Sequence, residues 1–155
     1  MTTMEFAYAA TIGQQPEGTW LVRFRDLPEA LTEGETFEDA LVQAADALEE
    51  AIAGRIRRGD DIPIGTPARR GEQDIAVPPV MAAKAALYLA ARDAPIGKTE
   101  LAKRLGVDEK EGRRLLDPHH PTKIQRLQDA LAAVGQTLVV RVEAKPLRSS
   151  KGVDR

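Results

Sequence analysis

The chain has 155 residues, of which 43% are hydrophobic and 30% are charged, with a net charge of −2 at pH 7. This composition predicts a folded globular protein of one or two domains. The absence of cysteine excludes disulfides and cysteine-ligated zinc. No apolar run reaches the ~18 residues of a membrane span, and the N-terminal residues lack the pattern of a signal peptide. We therefore expect a soluble, cytoplasmic protein with no membrane association.

Charge is divided unevenly along the chain. Residues 1–80 carry 15 acidic side chains, 7 arginines and no lysine, a net charge of −8. Residues 81–155 carry 15 basic and 9 acidic side chains, a net charge of +6. Such asymmetry is typical of two domains with different partners. The basic half suits a polyanion and the acidic half suits a basic surface, although two merely solvated surfaces would give the same totals.

The first half is predicted to form a small β-β-β-α-β domain. Alternation of apolar and polar residues predicts strands within residues 6–12, 20–24, 31–35 and 75–77. A long helix is expected to begin after Thr36, which has the capping-box spacing to Asp39. It is expected to end at Gly59, which can adopt the positive φ of a helix C-terminus.

The second half is predicted to be an all-α domain with a possible terminal strand. One helix is expected over residues 80–91, and a later one follows Thr122, which we expect to cap it together with Gln125. After Gly135, alternating apolar residues predict a final strand from Leu138 to Val142. We expect this strand to pair across a dimer, because an apolar strand at a sheet edge needs a partner.

The composition places the domain boundary in a segment rich in proline, glycine and charge. The predicted division is a first domain over residues 1–75, a linker over 76–82 and a second domain over 83–145. Residues 146–155 are expected to be a disordered tail.

Within the second domain, Thr99–Val107 followed directly by Asp108–Leu116 has the pattern of a helix-turn-helix. Ala102 is small enough for one helix to cross the other, and Gly106 can adopt the positive φ of the tight turn. The motif holds its second helix for insertion into the DNA major groove. Gly112 departs from the pattern, because a branched apolar residue usually packs there and a mid-helix glycine costs about 0.5–1 kcal/mol. An ordinary helical hairpin with a charged surface is the alternative.

Seven residues of this motif are candidate DNA contacts. Arginine can bond two acceptors of guanine, and glutamate can accept from the amino group of cytosine. The residues expected near the exposed face of the second helix are Glu109, Lys110, Arg113 and Arg114. The residues expected to contact phosphates, which adds affinity without sequence choice, are Lys98, Thr99 and Lys103.

No catalytic site, metal site or cofactor is predicted. His119 and His120 are adjacent, so their side chains diverge, and no cysteine or nearby carboxylate pair completes a metal site. A nuclease that holds magnesium through Asp26, Asp60 or Asp61 is a weaker hypothesis, because aspartates in turns are far more often structural.

The stretch Trp20–Pro28 (WLVRFRDLP), followed by Leu31–Ala40 (LTEGETFEDA), resembles the N-terminal domain of the HicB antitoxins. The family pattern is a strand ending in Asp-x-Pro, then Thr-x-Gly-acidic-Thr, an alanine-rich helix and Ile-Pro. The continuation Ala44–Glu50 and the closing run Arg58–Pro63 fit that pattern. The second half, with Leu115–Thr122 (LLDPHHPT), is similar to the helix-turn-helix that a subset of these antitoxins carries.

The resemblance implies a partial ribonuclease-H-like fold without catalytic activity. It implies that the first domain binds a small, basic, mRNA-cleaving HicA toxin, and it assigns no residues to that contact. It also implies that the second domain binds operator DNA of its own operon, as a homodimer or higher homo-oligomer. The charge division agrees with both expectations. The alternative is a stand-alone transcription regulator whose first domain senses a small ligand.

Overall fold

The computed structural model describes residues 3–144, which form an α+β protein of four strands and five helices. In chain order these elements are β1 (Ala7–Gln14), β2 (Trp20–Phe24), β3 (Thr32–Gly34), α1 (Phe37–Arg58), β4 (Gln73–Ala76), α2 (Pro79–Asp93), α3 (Lys98–Leu105), α4 (Glu109–Leu116) and α5 (Ile124–Ala133). None of these helices is long and apolar enough to cross a bilayer.

The strands form one antiparallel sheet in the order β3-β2-β1-β4. Ile12 lies opposite Val22 across β1 and β2, and Tyr8 lies opposite Ile75 across β1 and β4. The β-β-β-α-β order predicted for the first half is therefore confirmed, while its likeness to a ribonuclease-H fold stays a prediction.

Helix α1 covers one face of this sheet. Thr36 Oγ1 accepts a hydrogen bond from Asp39 N at 3.0 Å, and Asp39 Oδ2 accepts one from Glu35 N at 3.0 Å. The helix ends at Gly59, whose φ of 73° is left-handed. Both predicted ends are confirmed. The buried helix residues that recur at three- and four-residue spacing are Ala40, Ala44, Leu48 and Ile52, and they pack on the sheet.

Helix α2 contributes to two hydrophobic cores. Met81 and Ala85 belong to the core of the sheet unit, which we define as β1–β4 and α1. Ala83 and Leu87 belong to the core of the helical unit, which we define as α3–α5. A helix that is buried on two sides fixes the two units against each other, and Tyr88 Oη adds a hydrogen bond to Asp60 O at 2.6 Å. The proposed division at residues 76–82 stays a prediction.

Two local predictions are wrong. Residues 138–142 form no strand in the described part of the chain, because no neighbouring strand is there to accept their backbone hydrogen bonds. Thr122 does not cap α5. The helix starts one residue later than expected, after Lys123, and the Thr122 hydroxyl instead donates to His120 O at 3.2 Å. The predicted tail over 146–155 lies outside the described residues.

Candidate nucleic-acid interface

Helices α3 and α4 are joined by a tight turn at residues 106–108. Gly106 adopts φ 67°, and Val107 N donates to Ala102 O at 3.0 Å, so the glycine closes the first helix as predicted. Asp108 Oδ1 then accepts from Glu111 N at 2.8 Å and caps the second helix. The two predicted helices and their turn are therefore present, and their assignment as a DNA-binding helix-turn-helix stays a prediction.

The crossing of these helices explains why Gly112 departs from the expected pattern. Gly112 is buried in α4, and a Cβ atom placed on it would lie 2.4 Å from Lys98 O and 3.0 Å from Ala102 Cβ. No side chain fits at this distance from a carbonyl oxygen. Glycine is therefore required by close backbone approach, and the helix crossing replaces the packing of a branched side chain.

Lys110 and Arg113 lie on the exposed side of α4, opposite the buried Gly112 and Leu115. They are three residues apart and therefore share one helix face. Neither side chain has an ion-pair partner within residues 3–144. Both cations can thus approach a polyanion without first breaking an internal salt bridge.

Lys98 and Glu109 are brought together by the turn, with 3.6 Å between Lys98 Nζ and Glu109 Oε1. Both side chains are exposed, so the pair contributes little to stability. Its effect is to offset the negative charge of Glu109 at the start of α4. Thr99 and Lys103 lie exposed on α3, four residues apart on one face.

Arg114 forms an ion pair with Glu111 of the same helix, with 3.8 Å between Arg114 Nη1 and Glu111 Oε2. Arg126 of α5 reaches the same carboxylate at 3.9 Å. The structure thus adds Arg126 to the basic residues near α4. The sequence carries no signal for this residue, because only the packing of α5 brings it close.

Lys84 lies beneath α4 and is only 3% exposed. Its ammonium group donates to Arg114 O at 3.3 Å and to Asp117 O at 2.5 Å, which satisfies carbonyls at the C-terminus of α4. Burial lowers the pKa of Lys84, and the nearby Asp117 carboxylate partly opposes this shift. Lys84 was not among the predicted site residues, although a lysine within the apolar run from Met81 to Leu89 was an available signal.

The aspartates of the nuclease hypothesis have separate partners. Asp26 accepts from both the hydroxyl and the backbone N of Thr66, at 2.6 and 2.8 Å, and these bonds lower its pKa. Asp60 pairs with Arg58 at 2.8 Å and Asp61 with Arg92 at 3.7 Å. Nowhere in the described residues do three potential metal ligands come together, which includes the neighbourhood of the two histidines.

A polar network fixes the loop that follows α1 onto the sheet. Arg25 Nη2 binds Glu72 Oε1 at 2.8 Å, and the same guanidinium contacts Asp26 and the Thr66 hydroxyl. The Arg25 hydrogen bond, followed by one from Arg69 N, lowers the pKa of Glu72 to about 2. These groups satisfy one another, so we interpret the network as structural.

Other carboxylates of the sheet unit are left without such partners. Asp46, Glu49 and Glu50 project from the outer side of α1 and form no ion pair with any described residue. Asp46 and Glu49 follow Val42, an exposed apolar residue, by four and seven residues and therefore share its face of α1. The sheet unit therefore presents uncompensated negative charge beside apolar surface.

A sequence profile described as the HicB_like antitoxin of bacterial toxin-antitoxin system matches residues 7–86. The chain is also 39% identical over 131 residues to Antitoxin HicB of Escherichia coli strain K12, covering 84% of this chain and 95% of that protein. The chain belongs to the HicB-like antitoxin family of bacterial toxin–antitoxin systems.

Two further relatives extend the match. Antitoxin HicB 1 of Photorhabdus laumondii is 36% identical over 136 residues, covering 88% of this chain and 86% of the relative. Antitoxin HicB of Pseudomonas fluorescens is 34% identical over 143 residues, covering 90% and 95%. Each of these alignments covers at least 84% of the chain, so no more than about 25 of its residues lie outside any one of them. The helical unit, from Lys98 to Ala133, is longer than that. The similarity therefore includes the helical unit as well as the sheet unit.

Proposed function

We propose that this antitoxin neutralises a HicA-type mRNA-cleaving toxin through its sheet unit and represses its own operon by binding operator DNA through its helical unit. The proposal of DNA binding rests on two exposed cations of α4, Lys110 and Arg113. Neither of them forms an ion pair with another residue between 3 and 144. A protein with this role acts in the bacterial cytoplasm, where both partners occur.

For the helical unit we propose a helix-turn-helix with α4 as recognition helix. This proposal is supported by the way in which α4 is held. The Gly112–Ala102 contact and the buried Lys84 fix one side of the helix, and the opposite side is exposed to solvent. Lys110 and Arg113 are proposed to enter the major groove, with Arg114 and Glu109 at its flanks. Lys98, Thr99 and Lys103 are proposed to contact phosphates.

For the sheet unit we propose inhibition by occlusion, which requires burial of toxin surface and no chemistry. An RNA-cleaving toxin must bind a polyanion and is therefore expected to carry basic surface. The net charge of −8 over residues 1–80 supplies the complementary field. A stable inhibitory contact is expected to bury ~1,200–2,000 Å² in total.

The experiment separates the two activities in the full-length chain. The antitoxin is co-expressed with the toxin encoded beside it, and growth and complex recovery are measured. The same preparation is titrated with its promoter DNA by fluorescence anisotropy. We expect growth rescue, a recoverable complex and specific DNA binding from the wild type.

A variant in α4 separates DNA binding from toxin neutralisation. Arg113→Ala is expected to weaken operator binding and to keep full growth rescue, because Arg113 lies in the helical unit. Failure of the wild type to rescue growth would refute the antitoxin assignment to this toxin. Growth rescue lost together with DNA binding in Arg113→Ala would refute the division of labour.

A further inference from the structure

A groove, which we call the α1 groove, runs between α1 and the loop that joins β2 to β3. It has a volume of about 350 Å³. Helix α1 lines it with the small residues Ala47, Ala51 and Gly54, and the loop lines it with Glu29 and Leu31. A water molecule takes up about 30 Å³ of the liquid, so the groove has room for a long side chain of a bound protein.

The loop side of the α1 groove is held in place. Arg55 of α1 binds both oxygens of the Glu29 carboxylate, with Nε 2.6 Å from Oε2 and Nη2 3.1 Å from Oε1. Ala30 is buried, and its backbone N donates to Leu27 O at 3.0 Å. Leu31 follows these anchors and is 53% exposed. A wall that is already ordered loses little conformational freedom when a partner binds.

The charges that line the α1 groove are compensated at all but one residue. Arg55 neutralises Glu29, and Asp60 neutralises Arg58 at 2.8 Å. Glu50 lines the same groove and is exposed. It forms no hydrogen bond or ion pair with any other residue between 3 and 144. The α1 groove therefore combines apolar surface with one carboxylate that has no internal partner in this part of the chain.

This combination fits the side chain of a lysine or an arginine. Such side chains lay their aliphatic stem on apolar surface and keep the charged group at a polar edge. Ala47, Ala51 and Leu31 supply the apolar surface, and Glu50 can accept a charge-assisted hydrogen bond. The net charge of −8 over residues 1–80 favours the approach of a basic partner to this unit.

We propose that the α1 groove is the place where the sheet unit receives the toxin. A lysine or arginine of the toxin inserts between Leu31 and α1 and places its cation on Glu50. This assignment rests on the proposed function, to which it adds the position and the chemistry of the contact. A few side chains seated in pockets near the centre of an interface typically carry most of its binding energy, so we expect Leu31 and Glu50 to dominate the affinity for the toxin.

Charge reversal at two neighbouring residues of α1 locates the contact. Glu50→Lys places a cation in the α1 groove, whereas Glu49→Lys changes the net charge equally but lies about 100° away around the helix. Biolayer interferometry measures both full-length variants against the toxin encoded beside the antitoxin, at fixed ionic strength. We expect Glu50→Lys to weaken the complex at least about tenfold, mainly through faster dissociation. Glu49→Lys should weaken it less than about threefold, because salt screens exposed charges outside the contact.

Leu31→Ser and Val42→Ser form a second matched pair. Both remove an exposed apolar side chain, since Leu31 is 53% and Val42 is 58% exposed. Val42 precedes Ala51 by nine residues and therefore lies on the opposite side of α1. Leu31→Ser should weaken the complex at least about fivefold, and Val42→Ser should bind the toxin like the wild type. Unchanged melting temperatures by circular dichroism show that the variants are folded.

Charge exchange identifies the inserted side chain. The basic residues of the toxin are changed to glutamate one at a time, and each toxin variant is measured against Glu50→Lys. One of them should recover most of the lost affinity, because it restores opposite charges at the same contact. If no position in the toxin rescues Glu50→Lys, the insertion of a cation at Glu50 is wrong.

The results distinguish this proposal from the proposed function. Wild-type affinity in both Glu50→Lys and Leu31→Ser overturns the α1 groove as the contact and leaves neutralisation of the toxin standing. Loss of affinity in Glu49→Lys and Val42→Ser instead places the contact on the opposite side of α1, which also overturns the proposal. A wild-type protein that does not bind the toxin refutes both.

Discussion

Gly112 of α4 lies against Ala102 of α3 so closely that a Cβ on the glycine would approach the Ala102 Cβ to 3.0 Å and the Lys98 carbonyl oxygen to 2.4 Å. This contact sets how near the two helices approach, and hence how far the exposed face of α4 stands from the body of the protein. A position that looks unfavourable by helix propensity alone is therefore fixed by tertiary packing.

Gly112→Ala tests this crossing. The methyl group meets backbone rather than a flexible side chain, so α4 must shift, and we expect destabilisation by about 1–3 kcal/mol despite the better helix propensity of alanine. Gly97→Ala is the matched control, because its Cβ would meet nothing within 4 Å and its φ is −89°. Urea unfolding measures both. Equal stability of the two variants would show that the crossing is loose.

Lys84→Met tests the support beneath α4. Methionine fills similar space but cannot donate, so the carbonyls of Arg114 and Asp117 lose a partner. We expect a loss of about 1–3 kcal/mol in the free energy of unfolding. The exposed Lys103 provides the contrast: Lys103→Met should unfold like the wild type and bind DNA more weakly at low salt. An unchanged urea midpoint in Lys84→Met would show that the hydrogen bonds from Lys84 to the end of α4 do not stabilise the protein.

Local signals in the sequence were sufficient for most elements of this fold. A helix cap depends only on residues that are neighbours in the sequence. The starts of α1 and α4 at Thr36 and Asp108, and the ends of α1 and α3 at Gly59 and Gly106, were therefore predictable. The prediction that Thr122 caps α5 was wrong because the N-cap residue is Lys123, one residue later. Sequence spacing at this site was compatible with either start.

Non-local features were not predictable in the same way. The alternation from Leu138 to Val142 describes a strand only if a partner exists, and no described segment of one chain provides it. The approach of Arg126 to α4 depends on how α5 packs, and the partition of α2 between two cores depends on the docking of both units. Such contacts arise from tertiary arrangement, which periodicity does not encode.

Arg113→Ala tests direct readout by α4. If Arg113 contacts a base, its loss should weaken operator binding by about 1–3 kcal/mol and affect a scrambled duplex much less. Arg104→Ala is the control, because Arg104 is occupied by Ala133 O at 3.0 Å and Glu100 at 3.1 Å. Anisotropy titrations at fixed salt compare both duplexes. An equal loss on the two would assign Arg113 to phosphate only.

The ionisation of Glu72 makes the folding stability of the protein depend on pH below about 4.5. Its pKa is lowered to about 2 by the Arg25 hydrogen bond, so the folded state favours the ionised form. The stabilisation is present above the ordinary pKa near 4.5 and is lost as the pH falls from that value to about 2. Glu72→Gln should therefore lose less thermal stability than the wild type over this window.

The control for the acid profile is Glu50→Gln, at an exposed carboxylate without an ion pair to any described residue. It should keep the steeper acid loss of the wild type in melting temperatures recorded from pH 5 to pH 2. A Glu72→Gln profile parallel to that of the wild type would show that the Arg25–Glu72 pair does not contribute to the pH dependence.

Fragments test where the sheet unit ends. A fragment of residues 1–75 lacks Val77, Met81 and Ala85, which are buried in the core of that unit. Removing one large core side chain costs about 2–5 kcal/mol, a large share of the stability of a small domain. A fragment of residues 1–93 keeps these residues with all of α2. We expect a cooperative thermal transition by circular dichroism from 1–93 and a much lower or broader one from 1–75. Equal transitions would show that the sheet unit folds without α2, as the predicted linker over residues 76–82 implies.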